Sequence, residues 1–391
     1  QLKSTEVNCI VASANENDLV LSGDSIRGPE TLKDALIGKV EANSENANNN
    51  WTATPTDNKP AISLKAPEVP QSVQELRKLA ETYSADTIVS AFVVMKEAPL
   101  ADTYRSRSLV SAGLEAQMIE KQNTVISAIE RTVLGGQKLE VRYQFTYLTN
   151  SFTIRTAFGN LEKIASMEGV KSVFLTPVFE PCTTSSPNTA SSGAMTGVDM
   201  VWTEVGYTGT GMKIAIIDTG LDLDHPSFAA DPEMNDDSMT QADIAAVLEK
   251  LNAYKIRSTI SEKTLYRSAK VPFAFNYVDG NLTADHSSDE QGDHGTHVAG
   301  IAAANRIEGV DVVGMAPEAQ LVVMQVFQQG GGAAWPTIMA ALEDCVLLEV
   351  DTINLSLGSA AGFYDPDDQM LQTLSLFLET DMQVLIASGN D

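Results

Sequence analysis

The sequence predicts an α/β protein built on a parallel sheet with helices on both faces, preceded by a smaller α+β unit. Three observations predict it. Continuous apolar runs at 212–217, 320–327, 352–357 and 383–387 alternate with helix-length stretches around 297–304, 337–348 and 369–378. That alternation is the pattern of parallel strands covered on both faces. Upstream, between about Gln71 and Pro181, apolar runs and helical periodicities succeed one another in the order β-α-β-β-α-β. Polar stretches set these units apart: 41–60, rich in Asn, Thr, Glu and Pro, holds too few apolar side chains to offset its ordering entropy, and 182–193 is a Ser/Thr/Asn/Pro loop.

The chain has 391 residues, enough for two or three domains, and a hydrophobic content of 43% that suits an ordered protein. No apolar run approaches the ~20 residues of a membrane span. The sequence begins at Gln1 and shows no charged-then-apolar leader, so any secretion signal is expected to lie outside it. A net charge of −26 disfavours nucleic-acid binding, which needs clustered Lys and Arg. It reads as a solvated acidic surface. Structural calcium stays open, but no EF-hand-type loop is present and no ligands are named. Cys9, Cys182 and Cys345 are odd in number and far apart, which argues against a zinc site or a disulfide framework. Cys345 lies on an apolar helical stretch and reads as a small core hydrophobe. Cys182 lies in a polar loop without a charged neighbour to activate it.

Taken in order, residues 1 to about 42 hold short apolar pieces such as Cys9-Ile10-Val11, and 1–70 together read as an N-terminal extension and linker. Ile88 to Val94 is an apolar β-run. Leu114, Met118, Val125, Ile129 and Val133 recur at near-helical spacing, and Gly135-Gly136 stops that helix. Val141, Tyr143, Phe145 and Tyr147 alternate with polar residues as in a half-buried strand, and Phe152-Thr153-Ile154 continues into a second. A short helix through Leu161, Ile164 and Met167 and a strand at Val173-Phe174-Leu175 complete the order, which is that of the ferredoxin-like unit. Residues 182–194 read as an exposed junction, either a plain linker or a cleavable one. From 195 the parallel βα pattern begins, interrupted at about 229–284 by a stretch whose Ile244, Val247, Leu248 and Leu251 suggest an inserted helix peripheral to any chemistry.

In parallel sheets chemistry gathers at the carboxyl ends of the strands. Asp218-Thr219-Gly220 ends the first strand, Ser356-Leu357-Gly358 the third, and Ser388-Gly389-Asn390 the fourth. A neutral imidazole can take a proton from a hydroxyl nucleophile while a buried carboxylate on its other nitrogen fixes the tautomer. Asp218 and His294 suit these two roles. His294 opens Gly295-Thr296-His297-Val298-Ala299-Gly300, a run of small residues that lets backbone pack behind the ring. A His294–His297 metal couple would lack a third ligand at suitable spacing, so His297 reads as structural, as does His225. Asp222 is expected to support the Asp218 loop. Asp293 could orient the His294 backbone or simply face solvent. The run Gly330-Gly331-Gly332 lacks the Lys-Ser/Thr of a phosphate loop and reads as a flexible cleft wall.

Together these motifs resemble a subtilisin-type serine protease (subtilase) from about Val201 to Asp391; Asp followed by His, with Ser last, is the subtilisin chain order. The resemblance implies a subtilisin-like fold, incomplete at the C-terminus, with Asp218 as triad acid, His294 as general base and Asn390 as oxyanion donor. It also implies that Ser356, Leu357 and Gly358 on one side, and Gly330, Gly331 and Gly332 running into Ala333-Ala334-Trp335 on the other, sandwich an extended protein or peptide substrate. Val271-Pro272-Phe273-Ala274-Phe275-Asn276-Tyr277, the segment around His294, and Ala316-Pro317-Glu318-Ala319-Gln320-Leu321 are similar to bacterial cell-envelope proteinases of the lactocepin and C5a-peptidase type. In that group a domain commonly separates the oxyanion Asn from the Ser, and no Gly-Thr-Ser-Met or Gly-x-Ser-x-Gly segment follows Asn390 here. The nucleophile is therefore expected beyond residue 391, and this chain alone is expected to be inactive. Unit 71–181 resembles the subtilase propeptide, an intramolecular inhibitor and folding chaperone whose last strand passes through the substrate cleft. The expected protein is a secreted or bacterial cell-surface serine endopeptidase in proenzyme form, needing no cofactor for its chemistry. It should expose apolar surface unless a C-terminal remainder completes it. The alternative is a noncatalytic pseudoprotease or propeptide-type inhibitor.

Overall fold

The computed structural model describes residues 71–104, 110–181, 193, 195–285, 293–308, 312–358, 369–377 and 380–387. Its first unit runs α1 (Gln71–Leu79), β1 (Ile88–Met95), α2 (Ala112–Thr132), β2 (Glu140–Phe145), β3 (Ser151–Ala157), α3 (Leu161–Ala165) and β4 (Val170–Leu175). The strands form an antiparallel sheet of order β2-β3-β1-β4, the ferredoxin-like arrangement expected from the sequence. Helix α2 starts at Ser111, whose hydroxyl accepts from Leu114 N, the usual service of a serine to an orphan helix N–H. It closes where Gly136 N bonds Glu130 O. Helix α1 was not foreseen. Its signal is the three-residue spacing of Val73, Leu76 and Leu79, which seat against the sheet.

β1 reads as a continuous apolar run because both its faces are covered. Val89, Ala91 and Val93 pack with Val125 and Ile129 of α2 and Ile164 of α3. Phe92 faces the other way, stacked on Phe145 and Phe174 at centroid distances of 5.9 and 5.3 Å, and joins the core of the second unit. One face of the sheet thus carries its own helices and the other is sealed by the rest of the chain.

The second unit contains β6 (Lys213–Asp218), α4 (Gln241–Val247), α5 (Asn252–Ile256), α6 (Glu262–Leu265), β7 (Phe273–Asn276), α7 (His294–Ala303), β8 (Gln320–Gln325), α8 (Trp335–Leu347), β10 (Thr352–Leu355), α9 (Gln369–Leu376) and β12 (Gln383–Ile386); three short strands, β5 (Val178–Pro181), β9 (Ala333–Ala334) and β11 (Leu357–Gly358), form a separate small sheet. Its five strands are all parallel, in the order β12-β10-β6-β8-β7. Alternate residues of β6 and β8 serve opposite faces: Ile216 and Val323 pack with Ala299 of α7, whereas Ile217 and Met324 pack with α8. Phe273–Asn276 lies inside the stretch read as an insertion yet is the edge strand against β8. Its four residues are all buried, too short a run to stand out among the neighbouring turns. At the opposite edge β12 is only half covered, with Ile386 39% exposed.

Two buried acids of α8 serve as acceptors, Glu343 across the units and Asp344 within the second. Glu343 Oε1 accepts from Tyr147 N and Leu148 N, both at 3.1 Å, and so fastens the β2–β3 turn of the first unit. Asp344 caps α5, accepting from Asn252 N at 2.6 Å and Ala253 N at 3.0 Å, and also takes the Tyr277 hydroxyl at 2.8 Å. Arg142 Nη2 donates to Val278 O across the same interface. Cys345 beside them is buried, its thiol 3.5 Å from the Met324 sulfur.

Glu343→Ala leaves two buried N–H groups unpaired, a loss on the order of 2–4 kcal/mol; denaturant unfolding, with faster amide exchange confined to Tyr147 and Leu148, measures it. Burial pushes the Asp344 carboxyl up to about 6 from an ordinary 3.8, against the pull of the two N–H groups and Tyr277. The folded chain therefore holds this proton more tightly than the unfolded one. The stability so conferred is complete below pH ~4 and is lost as pH rises through 6. Over that window wild type is expected to lose a few kcal/mol relative to Asp344→Asn, which cannot titrate, as read from unfolding curves at successive pH values.

Candidate active site

β6 ends on Asp218, which is fully buried. The residues that follow must turn sharply away from the sheet. Gly220 does so at φ +120°, and a Cβ there would run into the Ala284 carbonyl oxygen, which already accepts from Leu221 N at 2.7 Å. Helix α7 then brings its first turn against this turn. Gly295 lies so close that a Cβ would strike the Gly220 carbonyl oxygen, so only glycine allows the approach. Two hydroxyls lock it: Gly295 N donates to Thr219 Oγ1 at 2.9 Å, and Asp222 N to Thr296 Oγ1 at 2.8 Å.

The approach sets His294 Nδ1 2.7 Å from Asp218 Oδ1, which also accepts from Thr219 N at 2.7 Å. The imidazole side chain is 11% exposed and the carboxylate 1%. A carboxylate already bonded by a backbone N–H prefers a donor on its other side, which selects the tautomer with hydrogen on Nδ1 and leaves Nε2 as the acceptor. Such a ring can take a proton from a hydroxyl.

The other expected residues fall as follows. Asp222 Oδ1 accepts from Asp224 N and stiffens the loop after Asp218. His225 Nδ1 accepts from Ser227 N and its ring leans on Phe228, a structural use. His297 is exposed on α7. Asn390, Ser388, Gly389 and Cys182 lie outside the described residues. No cluster of three or more metal-ligating side chains occurs among the described residues.

A second feature lies at the carboxyl side of β8 and β10. There β9 (Ala333–Ala334) and β11 (Leu357–Gly358) stand apart, and β5 (Val178–Pro181) runs between them, antiparallel to both. Val178 and Phe179 pair with Ala334 and Ala333; Glu180 and Pro181 pair with Gly358 and Leu357. Leu357 and Gly358 therefore wall an extended segment of the chain itself, and Ser356 sits just before them, its hydroxyl receiving a bond from Asn354 Nδ2. On the facing wall the ladder falls on Ala333 and Ala334, while Gly330, Gly331 and Gly332 form the turn leading in, closed by Gly331 N to Gln328 O. Phe179 is buried edge-on against Trp335 at 6.1 Å between centroids, whereas Val178 is 56% exposed. The sequence pattern did not mark β5 as a strand; only the resemblance implied one passing through the cleft. Its four residues carry no pattern alone, and only its two partners make it one.

Residues 209–391 match the Subtilase family. The PII-type proteinase of Lacticaseibacillus paracasei is 32% identical over 327 residues, covering 81% of this chain and 16% of that protein. The PI-type proteinase of Lactococcus lactis subsp. cremoris is 31% identical over 326 residues, with the same coverage of 81% and 16%. This chain thus spans only 16% of the length of those relatives. Among solved structures, fervidolysin from Fervidobacterium pennivorans, a keratinolytic enzyme related to subtilisin, aligns with a TM-score of 0.45 at 17% identity, over 79% of this chain and 40% of that one; a likeness of that size adds nothing to the assignment. On the sequence match, residues 209–391 belong to the subtilase family.

Proposed function

We propose that this chain is the N-terminal portion of a subtilisin-type serine endopeptidase in its proenzyme form. Residues 195–391 begin the catalytic domain, residues 71–181 act as an intramolecular inhibitor, and 182–194 form the junction that is cut. In this reading His294 Nε2 takes the proton from a serine supplied outside residues 1–391. Asp218 holds the Nδ1–H and stabilises the imidazolium, and Asn390 donates to the oxyanion. The serine attacks the peptide carbonyl to give an acyl-enzyme, which water then hydrolyses. The substrate is an extended protein segment, and the protein works outside the cell or on a bacterial cell surface. Among the described residues no helix is long and apolar enough to cross a membrane.

The observation that carries the reading is β5. It satisfies the facing backbone edges of β9 and β11 as a substrate strand would, because main-chain bonds give affinity whatever the sequence and side-chain pockets select. Phe179 fills such a pocket against Trp335, so the cleft is held by the chain's own strand beside a preassembled Asp–His pair.

Expression of the whole gene product tests the reading. A fluorophosphonate probe is expected to label one serine, and Asp218→Asn to lower kcat on the order of 10⁴-fold. A folded full-length protein that neither labels nor cleaves denatured casein would leave the noncatalytic alternative standing. Phe179→Ala empties the pocket against Trp335 and costs about 3 kcal/mol of seating. In the full-length proenzyme it is expected to shorten the lag before activity and speed release of residues 71–181, followed by gel electrophoresis, while Val178→Ala leaves both unchanged.

A further inference from the structure

The face of the parallel sheet that packs on α7 is built from successive register pairs of β6 and β8. Ile214 lies opposite Leu321, Ile216 opposite Val323, and Asp218 opposite Gln325. The first two pairs pack into the apolar cluster with Ala299 and Ala303. The third pair, at the carboxyl ends of the strands, is polar. Both of its residues are fully buried, and strand alternation places both side chains on the α7 side.

Here the hydrogen-bond accounting does not close. Asp218 Oδ1 is used twice, by His294 and by Thr219 N. Its other oxygen, Oδ2, has no partner among the described residues, and neither has Gln325 Oε1 or Gln325 Nε2. The other side neighbour of Gln325 cannot serve it: Asn276, its register partner on β7, spends its amide on Asp279 and Thr283 O and its carbonyl oxygen on Val278 N and Asp279 N. A lone orphan could be local slack. A carboxylate oxygen and both ends of a carboxamide, orphaned on adjacent strands at matched positions, belong to one arrangement, since buried polar groups are nearly always paired, often through an ordered water.

We propose that Gln325 is a positioning residue for Asp218: its carboxamide N–H, through one bridging water, holds Oδ2 and so fixes the carboxylate plane that presents Oδ1 to His294. Neighbouring strands are ~4.8 Å apart, a span that a glutamine and one water bridge. The device completes what Thr219 N begins. One oxygen is fixed from the turn, the other from the neighbouring strand, and the carboxylate loses its freedom to rotate about χ2. The proposal rests on the Asp218–His294 reading above, but its test needs no catalysis.

The test is proton NMR on this 391-residue chain. The Nδ1–H of His294, bonded to Asp218, gives a strongly downfield resonance, and ring-proton shifts report the pKa of His294. Gln325→Leu removes both polar ends at similar volume. The carboxylate then rotates, its bond to the ring loosens, the downfield proton exchanges at least about fivefold faster, and the pKa of His294 falls by about half a unit or more. Val323→Ala disturbs the same face of the same strand without touching polarity and is expected to change neither. Gln325→Glu, which supplies a donor while its carboxyl is protonated, restores the slow exchange at pH 5, and Gln325→Met serves if the Leu variant does not fold. The proposal is overturned if Gln325→Leu, or Gln325→Met in its place, leaves proton and pKa as in wild type, or if Val323→Ala shifts them equally. Failure of the full-length protein to hydrolyse peptides would strike the proposed function and leave this result untouched.

Discussion

The approach of two backbones, at Gly220 and Gly295, is the constraint on which the rest of the site depends. A β-carbon at either position would meet a carbonyl oxygen, of Ala284 in one case and of Gly220 in the other. Remove that freedom and α7 must back away from the end of β6. The 2.7 Å bond between His294 and Asp218 would then open, because the imidazole hangs from the first residue of the helix and moves with it. Thr219 and Thr296 bond across the gap rather than along the chain, so the sheet end and the helix start move as one piece. Rigidity of this kind lets a carboxylate and a ring keep their mutual geometry without a ligand.

The covered cleft follows a different principle. β9 and β11 are two residues each, too short to persist as strands without a partner, and each leaves backbone N–H and C=O groups pointing across the gap. Buried or half-buried groups of that sort demand a partner. β5 supplies it on both sides at once, and its alternation sorts side chains: Phe179 goes down against Trp335 and Val178 out to water.

The sequence made the parallel sheet legible because β8 is buried throughout and β6 over its last four residues, so both read as apolar runs, and the Asp218 and His294 motifs because each sits where such a run ends or a helix begins. Elements defined by partners were harder to read. β5, β9 and β11 exist only as a set, and β7 is four residues among turns. Glu343 and Asp344 in α8 carried no signal in the sequence. They are buried acceptors, and nothing local says so, because their donors come from residues 147–148 and 252–253. Gln325 was likewise invisible, since its meaning lies in the neighbour that strand register gives it.

Helix α8 brings these threads together. Its first residue, Trp335, receives Phe179, and its ninth, Glu343, receives the backbone of Tyr147 and Leu148. Eight residues of helix separate them by ~12 Å. One rigid rod therefore grips the first unit twice, once by its final strand and once by the turn between β2 and β3. Two contacts on one rigid partner act at high effective concentration on each other, so that losing one does not release the other. A break in the chain after residue 181 would leave both grips in place. The first unit would then stay on α8 by non-covalent contacts, and its departure would require the strand and the turn to let go together.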